Sequence, residues 1–373
     1  MSEAPFERSA RVSTLELFFD LVFVFTITQL TSVLVAGGDA AAALQVVVML
    51  LLVWWMYDGY AWLTNAIATD RFRYRIALIG GMGGFLVGAL AIPNAFESDG
   101  LAFGLAYLVV VLLHGAMYVQ GTSVSEVAAI LRIVPYNLVT AGLLVIGGAL
   151  GGDAQWVLWT GAAILIWCTP FLATTEGFLV SASHFVERHG LVIIVALGES
   201  IVVIGVGAAD LPLDLELVVV VLLSLALCAS LWWLYFRGDD EVERAMEEAE
   251  PSRRARLAVM GFGYWHYGLL LGVVAVAAGL KKALGHPYDE LGSWVGIELA
   301  VGVALFTACT VGFRATLGLA TGSVRLLAAA LALATIPVGT QWSATAQLVT
   351  LTAIVVGALV AEGARRGEGN QQS

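Results

Sequence analysis

Two short runs place ionisable side chains where an apolar chain has least reason to hold them. The first is Glu16-Leu-Phe-Phe-Asp20, followed at a distance by Thr26, Thr28 and Gln29 in an otherwise aromatic and aliphatic stretch. On a helix Glu16 and Asp20 share one face, and Gln29 falls close to it. The second is His184-Phe-Val-Glu187-Arg188-His189-Gly190, which leads through Leu191 to Leu197 into Gly198-Glu199-Ser200. Ten residues of helix carry Glu199 about 15 Å beyond His189, near the centre of a bilayer. Asp58 stands alone after Trp54-Trp55-Met56-Tyr57. Carboxylates and imidazoles at such depth bind cations, pass protons or form buried ion pairs. Glu16, Asp20, Asp58 and Glu199 are therefore the candidates for transport or ion coupling. His184, Glu187, Arg188 and His189 are the candidates for gating or ion pairing at the inner mouth, with Arg188 a partner for Glu16, Asp20 or Asp58. Structural readings stand beside these: a solvated Glu16, a protonated Glu199 bonding across helices, an ion-pair cluster at the membrane surface. His114, Asn137, His266 and Glu298 read as hydrogen bonders between helices, and Asn65 as interfacial.

Other chemistries find no footing. The two neighbouring histidines do not supply a metal ligand set. Cys168, Cys228 and Cys309 all sit inside apolar runs, with neither zinc spacing nor an aqueous loop for a disulfide. No phosphate-binding glycine loop, zinc-protease helix or nucleophile elbow occurs, so neither a catalytic residue nor a cofactor is expected, and the protein reads as a non-enzyme. A formal net charge of −11 argues against a nucleic-acid partner.

The elements that must position these residues follow from composition. Of 373 residues 60% are apolar and only 13% charged, too little charge to cover a soluble protein of this size. Apolar runs of about 20 residues recur, and their lack of period-two alternation excludes barrel strands. Twelve spans are expected, at 15–36, 40–64, 75–93, 101–120, 131–150, 156–176, 189–209, 213–236, 257–280, 292–313, 319–339 and 343–361. The fold class is thus all-α and polytopic. With a cytoplasmic N-terminus, every Lys and Arg except Lys281 and Lys282 falls on the inner side. Both tails, 1–14 and 364–373, are then cytoplasmic, and no cleavable signal peptide is expected. The acidic segment 237–256 reads as a charged cytoplasmic connector in which Asp239 or Asp240 caps a short helix ending before Pro251.

Weak self-similarity divides the chain into a first six-helix half, 15–182, and a second, 183–363. Trp54-Trp55-Met56-Tyr57 is answered by Trp232-Trp233-Leu234-Tyr235, Gln155-Trp156 by Gln341-Trp342, Arg75-Ile76-Ala77 by Arg256-Leu257-Ala258, and Leu21-Val22-Phe23-Val24 by Leu191-Val192-Ile193-Ile194. All lie about half a chain apart and in the same order. Halves with an even number of spans share one orientation, the parallel-repeat arrangement of some transporters. Phe236 stands where the first half has Asp58.

The run from Leu15 to Phe25, L-E-L-F-F-D-L-V-F-V-F, together with His184 to Leu191 and Leu197-Gly198-Glu199-Ser200, resembles the bacterial low-temperature-requirement A (LtrA) family. The two Trp-Trp-x-Tyr runs fit as well, and the resemblance covers essentially the whole chain. It implies a multi-pass bacterial inner-membrane protein tied to growth in the cold, with Glu16, Asp20, His184, Glu187, Arg188, His189 and Glu199 at signature positions. The first span is also similar to the F-S-D helix of lysosomal-type potassium channels, but Phe19 replaces the serine and His189-Gly190 stands where the motif would recur. Composition, repeat and intramembrane carboxylates together predict a secondary transporter of a small solute or ion, embedded in the lipid bilayer. An ion channel and a lipid-related factor are the alternatives.

Overall fold

The computed structural model describes residues 11–67, 71–174, 176–209, 211–285, 287–320 and 322–371, with side chains to residue 365. Among the described residues there are helices and no strands. Among these residues twelve helical stretches are long and apolar enough to cross a membrane. The chain is a polytopic α-helical membrane protein, as its apolar runs require.

Helices α1 (Thr14–Gly37), α2 (Ala40–Ala66), α3 (Phe72–Ala91), α4 (Gly100–Gly121), α5 (Val124–Leu150) and α6 (Gly152–Leu172) follow one another through short connections. Helix α5 starts seven residues before the expected 131. Ser123 and Glu126 form a reciprocal capping box there, which satisfies the first free N–H groups and lets the helix begin early. Helix α7 (Ala182–Ala208) also starts early, so His184, Glu187, Arg188 and His189 occupy its first two turns rather than a connector before it.

Helix α8 (Leu215–Phe236) leads into α9 (Asp239–Glu248), the short helix expected in the acidic segment. It is more than a charged connector, because Val242 and Met246, four residues apart, are buried. Helix α10 (Pro251–Leu257) runs through a π-helical turn at Ala258–Trp265 into α11 (His266–Gly285), and α12 (Ser293–Thr316) follows. The eleventh span is not one helix. It consists of α13 (Ser323–Leu333) and α14 (Ile336–Gln341), because Pro337 lacks an N–H and its ring opposes the carbonyl of Leu333. Helix α15 (Ala344–Gln371) ends the described chain.

The helices gather into two compact units. The first holds the described residues up to Leu30, Gln45–Val192 and Glu243–Gly263. The second holds Thr31–Leu44, Ile193–Val242 and the described residues from Tyr264 on. Each unit thus takes segments from both sequence halves. Helices come close inside each one where side chains are absent. In the first, a Cβ on Gly148 would lie 2.2 Å from the carbonyl oxygen of Gly100; in the second, a Cβ on Gly302 would lie 2.8 Å from that of Gly272. Backbone-to-backbone packing of this kind replaces the hydrophobic drive that lipid does not supply.

Candidate functional site

Six of the eight residues singled out in the sequence meet inside the first unit, supplied by α1, α2 and α7. Glu16, Asp20, Asp58, His184, Arg188 and His189 are all buried. The opposite face of α1 carries the exposed Leu17, Phe18 and Leu21, as a lipid-facing surface would.

Arg188 and Asp20 form a two-pronged pair. One guanidinium nitrogen donates to Asp20 Oδ2 at 3.1 Å and the other lies 2.9 Å from Oδ1. Tyr57 donates its hydroxyl to the same Oδ1. The guanidinium also sits over the rings of Tyr57 and Phe19, at 5.5 and 5.9 Å from their centroids. Asp20 is 0% exposed and Arg188 1%, so neither charge has water to rely on. A bidentate carboxylate offsets much of the desolvation of a buried guanidinium, and the aromatic faces add to it.

His189 and Asp58 make the second pair, with His189 Nε2 3.0 Å from Asp58 Oδ1. The other ring nitrogen, Nδ1, lies 2.9 Å from the carbonyl oxygen of Phe185. A carbonyl can only accept, so Nδ1 carries a hydrogen. The contact between Nε2 and Oδ1 then also needs one: a protonated histidine facing a carboxylate, or a neutral histidine facing a carboxylic acid. In both placements the pair is neutral and shares one proton. Phe185 and Phe262 close over the ring, at 4.4 and 4.9 Å between centroids. Trp54 donates its indole N–H to the carbonyl of Gly263 at 2.7 Å, in the π-helical turn where the usual helical partner is displaced.

His184 is held the opposite way round. Asn65 accepts from the Ser181 N–H through Oδ1 at 3.0 Å and donates to the Ser181 carbonyl through Nδ2 at 3.1 Å, which fixes the orientation of its amide. The remaining Nδ2 hydrogen points to His184 Nδ1 at 3.2 Å, so Nδ1 is the acceptor. The neutral ring therefore bears its hydrogen on Nε2, which lies 3.1 Å from Glu16 Oε1. The other carboxylate oxygen, Oε2, accepts from the Ser13 N–H at 2.8 Å and the Ser13 hydroxyl at 2.7 Å, the reciprocal cap that starts α1. Glu16 is thus part helix cap, part histidine partner. With Arg188 matched by Asp20 and the His189–Asp58 pair neutral, an ionised Glu16 leaves the cluster with one negative charge.

The segment before α7 is pinned from a second side, because Arg254 donates to the Val180 carbonyl at 3.2 Å and to the carbonyls of Glu247 and Ala249. Glu187 does not join the cluster. It is exposed and accepts from the Val12 N–H at 3.1 Å. Glu199 belongs to the second unit, where it and Ser200 are buried. Among the described residues no group of three or more His, Cys, Asp or Glu side chains is placed to hold a metal. Sequence reasoning missed Tyr57 and Asn65 as members of the site. Tyr57 was hidden in an aromatic run that resembles an interfacial belt. Asn65 sits at the end of α2, where an amide raises no question. His114, Asn137 and His266 bond between helices as expected, to the Gly59 carbonyl, Trp55 and Tyr235.

Residues 11–360 match the family described as Bacterial low temperature requirement A protein (LtrA). The chain belongs to the LtrA family. An uncharacterized protein of Rhizobium meliloti (strain 1021) is 28% identical over 314 residues, covering 80% of this chain and 76% of its own length. No solved structure matches. The buried cluster is built from the segments that carry the LtrA resemblance, at the start of α1 and the start of α7.

Proposed function

We propose that this LtrA-family protein is a secondary transporter, not an enzyme, in which the buried cluster loads and releases protons coupled to movement of a small solute or ion. The observation that supports this reading is the His189–Asp58 contact, Nε2 to Oδ1 at 3.0 Å, beside the buried Arg188–Asp20 pair and Glu16. Protonation of His184 on Nδ1 would set two donors against each other and push Asn65 off the ring. Asn65 is also the clamp on Ser181, so a proton taken up here loosens the segment that enters α7. Glu199 in the second unit is a further proton-binding carboxylate in this scheme. Both ends of the chain are assigned to the cytoplasmic side of the bacterial inner membrane, on the placement of every Lys and Arg but Lys281 and Lys282.

The test is a pH jump on proteoliposomes adsorbed to a solid-supported membrane. The wild-type protein is expected to give a transient charge displacement, several-fold smaller in Asp58→Asn. A steady current driven by a potassium gradient would instead identify a channel, and no proton-driven charge movement at all would overturn the reading.

A further inference from the structure

A cavity of about 20 Å³ lies inside the first unit, lined by residues of α1, α2, α3 and α4. Most of its wall is apolar, from Val53, Met56, Phe85 and Phe103, but two hydroxyl-bearing residues also line it: Thr26 of α1 and Tyr107 of α4. Thr26 is 1% exposed and Tyr107 5%, and neither hydroxyl has a hydrogen-bond partner in the protein. Leaving a hydroxyl unsatisfied in an apolar interior is costly. Two such groups on one void are a polar site, not a packing fault. The void is not slack between poorly fitted helices either: at Gly84, in the same wall, a Cβ would come within 2.7 Å of Val110.

We infer that this cavity is a binding site for one water molecule, held by the hydroxyls of Thr26 and Tyr107. The volume matches a single water, which needs about 10–15 Å³ and two or more polar partners. A larger solute does not fit, and an ion would find no charge. The water lies one aromatic layer from the charged cluster. Phe85 lines the cavity and meets Phe19 edge-on at 5.2 Å and Tyr60 at 5.6 Å, and Phe19 is the ring beneath Arg188. The site therefore provides hydration on the far side of the Phe19–Phe85–Tyr60 layer. This inference rests on the cavity and its hydroxyls, independently of the proposed transport activity.

X-ray hydroxyl-radical footprinting of the full chain in nanodiscs, in ¹⁸O water, tests it. Radicals form at bound water, so Met56, 1% exposed and in the cavity wall, is expected to take up label. Met117, 3% exposed and outside the wall, is expected to take up several-fold less. The Thr26→Val/Tyr107→Phe variant should lose most of the Met56 label, and Tyr107→Phe alone should lose part of it. Labelling of Met56 no greater than that of Met117 in the wild-type protein would overturn the inference without recourse to any variant. So would an unchanged Met56 label in either folded variant.

Discussion

Both units bury arginines against acids, and they use them for different ends. In the second unit the guanidinium groups tie down helix ends. Arg325 forks onto Glu362 at 2.7 and 3.0 Å and donates to the Leu234 carbonyl in the last turn of α8. Arg314 pairs with Glu241 and reaches the Arg237 carbonyl just beyond that turn. Arg237 in turn donates to the Leu359 carbonyl at 2.6 Å. Carbonyls at a helix C-terminus have no partner within the helix and carry partial negative charge, so the Arg325 and Arg314 contacts at the end of α8 are caps, whereas Arg237 bonds a carbonyl inside α15. In the first unit Arg188 meets no carbonyl. It holds a carboxylate and a pair of aromatic faces, with its Nε unpartnered. The sequence-matched Trp-Trp-x-Tyr runs repeat the contrast. Tyr57 donates to a buried acid, Tyr235 bonds His266 at 2.7 Å, and where one run is followed by Asp58 the other is followed by Phe236. An arginine–acid pair is therefore no guide to function by itself. What marks the Arg188–Asp20 pair of the first unit is charge held away from any backbone need for it.

The sharpest way to break this contrast is Asp20→Ala. It strands a buried guanidinium and should cost about 3–5 kcal/mol, read as a large fall in thermal midpoint in detergent. Replacing both partners, as Asp20→Leu with Arg188→Met, should restore most of that stability while the pH-jump charge movement stays lost. If the single variant melts like the wild type, the pair is not the buried element described. Arg325→Ala in the second unit should cost about 2 kcal/mol through the lost fork and cap, and leave the charge movement intact; a lost charge movement would erase the distinction between the units. Asn65→Leu removes the Ser181 clamp and should lower stability by about 1–2 kcal/mol. Hydrogen exchange should then quicken in residues 178–183 and not in α4. Asp58→Asn keeps an oxygen near His189 and should change stability by about 1 kcal/mol or less, read from the melting midpoint, yet suppress most of the charge movement. Smallest of all, Glu187→Gln on the exposed face should alter neither quantity, and a clear change in proton-driven charge would bring that residue back into the site.

The spans were legible because a bilayer imposes length and apolarity on every crossing segment, and all twelve are there. Their ends were less so. Hydropathy averages over the capped first turn at Ser123 and the polar first turns of α7, and it does not register the break at Pro337, whose neighbours remain apolar. The site was legible by cost: an acid or histidine inside an apolar run calls for a partner, and six of the eight residues chosen on that ground lie together. Pairing was not. Asp20, Glu16 and Asp58 were equal candidates for Arg188, and only the packing of α1 against α7 selects Asp20. Asn65 and Tyr57 escaped because neither residue type is expensive at a helix end or in an aromatic run, although each sets the hydrogen-bond state of a neighbour.

The neutrality of the His189–Asp58 pair has an electrical consequence. Its proton can move at most the 3.0 Å between Nε2 and Oδ1. Crossing the whole membrane is worth about 2.3 kcal/mol per 100 mV for one charge, so over roughly a tenth of a 30 Å core the proton feels about 0.2 kcal/mol or less. Membrane voltage therefore hardly biases which of the two residues owns the proton. Any voltage sensitivity of the cluster has to arise from charges that travel between it and the aqueous phases.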